Sequence, residues 1–471
     1  MNKWTFLKVL ALGFFAFSMA LQITGCANIV PPGGGPKDSL PPYLVAAKPH
    51  DSSLNIQPKE IQIAFNEFIA SSSIQENLVV SPSLKMVPLV DAKLNILKVR
   101  IIDTLSPNTT YSLAFGNAIK DVNEGNIATN FTYVFSTGDH LDTGRLKGTV
   151  SLAETGKIDT TLIVVLQPAE KDSAIFKEKP VYYTRINNKG KFDFHFLPPK
   201  TYQVFVLPND YTKKYDDSTK LFAFANEPIT IQPNTDSIHL YVFQGAKKSE
   251  KKRAASGNKA ATKMGAILKY AKNLEGNEQD LLKPLNLSFE TPVHFNDSFP
   301  ILLCDTLNNT LDGFHIFIDS AHPETVVIDY PWTAQTKFHL IVPKASIKDS
   351  INNTLIKTDT LKFISKSEAA YGACIIRING FNEKLNQVLL LTQDDKVKYS
   401  YPITKNTINI QKLPPGDYGL KLLNDSNHNG VWDTGSYFGK AKKQPETVQL
   451  LATPLSIKAN WENELILIIN K

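Results

Sequence analysis

The chain has few of the residues that staple a fold or run a reaction. Three cysteines occur in 471 residues, too few for a disulfide scaffold, so the fold must stand on packing. Cys304 and Cys374 fall in different expected domains and read as buried free thiols, a single bridge between them being the alternative. Catalytic patterns are missing: there is no Gly-x-Ser-x-Gly, no His-Glu-x-x-His and no paired-cysteine motif, and the nine histidines are scattered. These absences argue against an enzyme built on a local motif. Helix-period stretches are scarce and proline is frequent, which points to an all-β chain. Nor does one sign of charge cover the folded parts. Much of the net charge of +6 sits between Lys247 and Asp280, where nine Lys or Arg face four Asp or Glu. The near-neutral remainder gives no support to nucleic acid as a partner.

What is present begins with an address. Lys3 and Lys8 precede an apolar run from Val9 to Ala20 that is short for a bilayer span and ordered like an export signal. Leu21-Gln22-Ile23-Thr24-Gly25-Cys26 follows. Ile23-Thr24-Gly25-Cys26 resembles the bacterial lipobox, which implies a lipoprotein signal peptide over residues 1–25 and Cys26 acylated as the new N-terminus. An ordinary secretory signal with an incidental Cys is the alternative. Residues 26–42, rich in Pro and Gly, read as a tether. Within it Gly33-Gly34-Gly35-Pro36-Lys37 lacks the spacing, the following Ser/Thr and the preceding strand of a phosphate loop.

Residues 43–140 alternate with period two at Ile61–Phe65, Leu97–Ile101, Thr110–Phe115 and Phe131–Phe135, the signature of strands that each bury one face of a sandwich. The set Phe65-Asn66-Glu67, Leu105 to Tyr111, Ile119-Lys120-Asp121 with Gly125, and Phe135-Ser136-Thr137-Gly138 resembles the bacterial Ig-like domain of S-layer proteins. The resemblance implies a fold and no chemistry. Residues 145–245 continue with strands at Leu146–Val150 and Leu162–Leu166, then Phe194 to Tyr202 with Leu197-Pro198-Pro199 as a turn. Strand, Leu-Pro-Pro, Tyr, strand is similar to the transthyretin-like, carboxypeptidase-regulatory sandwiches, and His195 reads as a strand-face residue. Residues 246–280 read as a basic linker, with a short helix at Met264–Tyr270; attraction of Lys247, Lys248, Lys251, Lys252 and Arg253 to anionic lipid or glycan is the alternative.

The second half repeats the first. Leu285–Glu290, Gln335–Leu340, Ile347-Lys348-Asp349 and Leu361–Phe363 track the first domain and suggest a diverged Ig-like sandwich over 281–367. Ile408 to Tyr418, with Leu413-Pro414-Pro415, mirrors Phe194 to Tyr202 and suggests a second transthyretin-like sandwich over 370–471. The architecture expected is therefore tandem β-sandwiches, a duplicated pair behind a signal peptide. Leu465–Ile469, unbroken aliphatic, reads as a buried closing strand beside Trp461.

One constellation can carry chemistry. From Asp425, side-chain oxygens fall at positions one, three, five and nine as Asp425, Asn427, Asn429 and Asp433, with Gly430 at six and the Val431 carbonyl at seven. That is the ligand spacing of a calcium loop, similar to those of dockerins and thrombospondin repeats. Position twelve is Ser436 where a bidentate Glu would stand. An Asn/Asp turn bonded to its own backbone is the competing reading. As a whole the chain resembles the Ig-like-domain lipoproteins of Bacteroidota. That resemblance implies a lipid-anchored, non-catalytic envelope protein with a structural or interaction role, its partners being the membrane and an envelope protein or glycan. Ala27 after Cys26 implies the outer membrane, and the lack of a following acidic cluster favours its periplasmic face. The competing function is a calcium-assisted carbohydrate-binding or cell-surface adhesin lipoprotein.

Overall fold

A computed structural model describes residues 37–471 apart from 172, 246–266, 383–384, 439–441 and 470–471, together with Trp4, Lys8 and residues 11–13. Cys26, most of the tether and the basic run Lys247 to Arg253 lie outside the described residues. The chain divides into two compact units, 1–141 and 142–471. Both are built from strands, as tandem β-sandwiches.

In the first unit, Leu44–Lys48, Glu60–Phe65, Ile96–Arg100 and Leu89–Lys93 form one sheet in that order. Val79–Ser81, Thr110–Ala114 and Thr132–Ser136 form the second. Alternate residues Ile61, Ile63, Phe65, Leu97, Val99, Leu113, Tyr133 and Phe135 meet between them in one core, which is the period-two pattern of the sequence turned into two facing surfaces. Ile69–Ser71 pairs with Ile119–Asp121 at one end. There the buried Asp121 carboxylate accepts N–H bonds from Glu124 (2.6 Å), Gly125 (2.8 Å) and Asn126 (2.7 Å).

Burial alone would raise the Asp121 pKa, but the backbone N–H groups of Gly125, Glu124 and Asn126 outweigh it and hold the carboxyl below its ordinary value. A depressed folded-state pKa gives stability that is present above the unfolded value, about 3.9, and lost as pH falls through the folded one. Urea unfolding of the first unit is therefore expected to show a wild-type advantage over Asp121→Asn at pH 7 that narrows on titration toward pH 3. Equal pH dependence in the two proteins would refute this.

The second unit contains three further sandwich cores and two clusters outside them. Its first sandwich strings seven strands in the order Tyr182–Arg185, Leu162–Pro168, Thr201–Pro208, Leu221–Phe224, Ile238–Gln244, Gly144–Leu152, Lys191–Leu197. The first and last long strands run parallel, Gly148 opposite Ile238. His195 is on the exposed strand face, its Nε2 3.2 Å from Asp193.

The next core gathers Leu268, Leu285, Leu287, Val326, Ile328, Trp332, Phe338, Leu340 and Phe363. Its sheet Tyr270–Lys272, Leu285–Phe289, Thr325–Asp329, His315–Ile318 repeats the pairing order of the first unit. Val293–Phe295 pairs with Ile347–Asp349 as Ile69–Ser71 does with Ile119–Asp121. Asp349 likewise accepts backbone N–H groups, from Ile351 (3.0 Å) and Asn353 (2.8 Å). Packing in this sandwich starts earlier than the expected linker end at 280: Leu268 is buried, Tyr270 pairs with Phe289, and a strand stands where the helix was expected to finish.

In the last sandwich, Thr407–Leu413, Gly372–Asn379 and Glu462–Ile468 face Lys396–Pro402, Gln387–Gln393, Gly416–Asn424 and Thr447–Ile457. The parallel pairing of first and last strands recurs, Cys374 opposite Asn463. Tyr418, in Leu-Pro-Pro-x-x-Tyr, donates its hydroxyl to the Pro414 carbonyl at 2.8 Å and fixes the turn. The closing strand corrects the sequence expectation. Only one of its faces meets the core, so Leu467 is buried while Ile466 and Ile468 stay exposed, and Trp461 lies exposed under the Lys458 ammonium. Cys304 and Cys374 are both free and buried, and burial pushes the Cys374 thiol up to about 11.

Candidate functional site: an interdomain joint

The Asn/Asp-rich segment opens the connection between the strands Gly416–Asn424 and Thr447–Ile457. Gly430 and His428 take positive φ, 73° and 63°, which turns the chain back on itself. Asp425, buried, accepts from the Gly430 N–H at 2.7 Å; Asn427 Oδ1 accepts from the Asn429 N–H at 3.1 Å; Asn429 Oδ1 accepts from the Val431 N–H at 2.7 Å. Both Asn427 and Asn429 donate their amides to Asp433 Oδ2. The sequence thus brought four of the candidate side chains together, and in this arrangement the oxygens of Asp425, Asn427 and Asn429 serve the loop's own backbone while Asp433 accepts the two asparagine amides. Among the described residues no three His, Cys, Asp or Glu side chains converge in a way that could hold a metal ion.

A residue missing from the sequence reading completes the loop. Glu446, buried, accepts from the Ser426 N–H and hydroxyl, both at 2.8 Å, and from the Asp433 N–H at 3.1 Å. Its own carbonyl accepts the Trp432 indole N–H at 2.8 Å. It lies twenty residues beyond Ser426, so no local spacing rule finds it.

Beyond the turn the connection becomes an arm laid on the neighbouring sandwich. Tyr437 packs into an aromatic nest, with ring centroids 4.9 Å from Phe224, 5.0 Å from Phe222 and 5.6 Å from Phe205. Trp432 packs against two clusters at once, one that includes Ile163, Val165, Phe205 and Phe243 of one sandwich and one formed by Val388, Leu390, Leu423 and Val448 of the other. Polar contacts fix the arm's course. Thr434 donates to the Gln244 carbonyl (2.5 Å), Gln444 to the Phe224 carbonyl (2.9 Å), and the Val448 N–H to the Ala153 carbonyl (2.8 Å). Lys157 pairs with Asp395 at 2.6 Å across the same boundary. Gly435 has to be glycine here, since a Cβ would stand 2.8 Å from the Phe243 ring and 2.9 Å from the Lys443 carbonyl.

The signal for this joint was in the sequence. Leu162-Ile163-Val164-Val165-Leu166 and Val388-Leu389-Leu390-Leu391 are apolar without alternation, the mark of strands buried on both faces. Their inward residues fill the two sandwich cores, and their outward residues meet the arm. A cavity of about 250 Å³ opens beside Tyr437, lined in part by Gln203, Phe205, Glu227 and Lys442.

A second joint is a single hydroxyl. Tyr371, buried between the third and last cores, accepts the Leu281 N–H at 2.7 Å and donates to Asp280 Oδ1 at 2.8 Å. Burial holds its pKa well above the ordinary tyrosine value. Tyr371→Phe leaves both partners facing a ring edge, and a loss of about 1–3 kcal/mol in urea unfolding is expected; a change under about 0.5 kcal/mol would show the hydroxyl to be dispensable.

Comparison with known proteins adds a boundary. No helix among the described residues is long and apolar enough to cross a membrane. No curated protein matches the chain. Among solved structures, the chain is similar to the Bacillus anthracis TIE protein, at 12% identity over 93% of this chain and 76% of that one, TM-score 0.16. The N-terminal part of the bacterial S-layer protein SbsC matches at 14% identity over 44% and 45%, TM-score 0.17, so the chain spans less than half of its length. The major pilin subunit of Bacillus cereus matches at 11% identity over 69% and 100%, TM-score 0.16. TM-scores this low bear on neither fold nor function. Residues 38–137 match the bacterial Ig-like domain family, so the first sandwich is a bacterial Ig-like domain.

Proposed function

We propose that the chain is a non-catalytic envelope protein of Bacteroidota type, held by acylated Cys26 in the outer membrane, its sandwiches serving as a structural or interaction module. The observation that supports it most directly is the joint. The residues that look most like a site, Asp425 to Asp433 with Trp432 and Tyr437, are spent on coupling two sandwiches, as suits a part that must transmit position rather than turn over a substrate. The repeated strand pairing supports two Ig-like and two transthyretin-like sandwiches arranged as a duplicated pair, with the last three in the second unit. Mass spectrometry of the mature N-terminus tests the anchor: diacyl or triacyl Cys26 is expected, and an unmodified N-terminus elsewhere would refute it. Protease shaving of intact cells, followed with an antibody to the last sandwich, tests the side. Survival until the outer membrane is broken is expected for the periplasmic face, whereas loss of the signal places the domains outside.

A calcium-assisted, glycan-binding adhesin is the second reading, and Glu446 favours it. Its carboxylate is held beside the loop by the Ser426 and Asp433 N–H groups, and it would have to turn from them to join Asp425 and Asp433 at an ion. Calcium there would need the Asn427 and Asn429 amides to turn their oxygens inward, with the Val431 carbonyl completing the set. A weak extracellular-type site, about 10⁻⁴–10⁻³ M, is expected. At ten times that dissociation constant the linkage stabilises by about 1.4 kcal/mol. Calcium at 5–10 mM is therefore expected to raise the melting temperature of the mature chain, with no rise in Asp425→Ala or with magnesium. An unchanged melting temperature ends the metal reading, and glycan binding insensitive to chelation ends the adhesin.

A further inference from the structure

The first unit is threaded end to end. Tyr43, where the chain joins the sandwich, accepts the Asn66 N–H at its carbonyl and donates its own N–H to Asn66 Oδ1. Gly138, where it leaves, accepts the Asn55 N–H at the other end of the strands, beside Asn108. Three exposed apolar side chains crowd the joining end: Phe68 (56%), Leu94 (63%) and Val122 (56%). They form one group, because the Val122 N–H bonds the Phe68 carbonyl at 3.1 Å and the Ile69 N–H bonds the Leu94 carbonyl at 2.8 Å. The chain before the sandwich is pinned at the same end, where Asn126 donates to the Asp38 carbonyl at 3.1 Å.

Ten residues separate Cys26 from Lys37, and a fully extended chain covers at most about 3.6 Å per residue, so a lipid on Cys26 keeps this end within about 40 Å of the bilayer. Single exposed apolar residues need no explanation, but a contiguous group marks a surface that something covers. Its flanking charges are mixed and lean acidic, with Glu67, Asp121, Glu124 and Asp38 against Lys93 and Lys120. That suits a zwitterionic headgroup layer better than an anionic one.

We propose that the joining end of the Ig-like domain rests on the phospholipid surface, with Phe68, Leu94 and Val122 seated in the interfacial layer. This rests on the reading of Cys26 as the anchor. The occupant is lipid because the anchor's short reach brings lipid to this end before any other surface. Val122→Cys in the acylated mature chain, labelled with an environment-sensitive fluorophore, tests it on phosphatidylethanolamine–phosphatidylcholine vesicles. Cys304 and Cys374 are buried and stay unlabelled. Ile102→Cys, an exposed apolar position at the leaving end, is the control.

The expected result is blue-shifted emission at position 122, quenched several-fold by nitroxide lipids, with position 102 unchanged. Adding Phe68→Asp and Leu94→Asp should abolish the shift while the chain still floats with the vesicles. A floating, acylated chain whose label at 122 stays as wet as that at 102 overturns the proposal and leaves the anchor standing. A label at 122 that is dry without vesicles also overturns it, because protein then covers the group. A mature chain that carries no acyl group on Cys26 overturns the anchor and the proposal together.

Discussion

Tyr437→Ala is expected to cost about 3–5 kcal/mol and to uncouple the last sandwich from the one it grips. The side chain is 6% exposed and touches Phe205, Phe222 and Phe224, so its removal leaves a cavity that the rigid strands Thr201–Pro208 and Leu221–Phe224 cannot close. Removing the plug also opens one side of the cluster around Phe222, which Tyr215 still covers by stacking at 3.8 Å. The second unit should then unfold in two transitions where the intact chain shows one, and protease should cut the released arm at Lys442 or Lys443. Tyr437→Phe keeps the ring and should retain most of the coupling. One unfolding transition at an unchanged midpoint in the alanine variant would mean that the arm lies on the sandwich without holding it.

Much of the fold was legible because it rests on local periodicity. Ile61-Gln62-Ile63-Ala64-Phe65 alternates because the strand faces a core on one side only, and its inward residues are those found buried. Ile-Lys-Asp was legible twice because a short strand ending in an N–H-accepting carboxylate is a complete structural unit in sequence, and Asp121 and Asp349 do the same work. Leu465–Ile469 misled because an unbroken aliphatic run looks doubly buried, whereas strand Glu462–Ile468 turns only one face to the core. The strand Tyr270–Lys272 was hidden by the basic composition just before it and by its three-residue length. In the site, the spacing from Asp425 to Asp433 was visible and its task was not. Glu446, Trp432 and Tyr437 belong to an aperiodic connection: Glu446 closes back on Ser426 twenty residues earlier, and what Trp432 and Tyr437 touch is set by a sandwich roughly two hundred residues away.

Gly144→Ala and Gly372→Ala test the duplication itself, and each is expected to destabilise its own sandwich by about 3 kcal/mol. Neither glycine has positive φ, so on backbone entropy alone alanine would stabilise by about 0.4–1 kcal/mol. Close approach reverses the sign. A Cβ at Gly144 would overlap the Leu197 carbonyl and stand 2.5 Å from Ile231 Cγ2; one at Gly372 would stand 2.5 Å from the Lys458 carbonyl and 2.6 Å from Ile457 Cγ2. Both glycines open their strands opposite the leucine of Leu-Pro-Pro, Gly144 against Leu197 and Gly372 against Leu413, and in both pairs the register shifts immediately afterwards. Backbone carbonyls cannot step aside as a side chain can, which puts the cost at the upper end of core overpacking. Hydrogen exchange separates the two effects: Gly144→Ala should lower protection in Gly148–Leu152, and Gly372→Ala in Cys374–Asn379. If one alanine is tolerated and the other is not, the two sandwiches do not share the constraint, and the correspondence of their first strands is one of pairing alone.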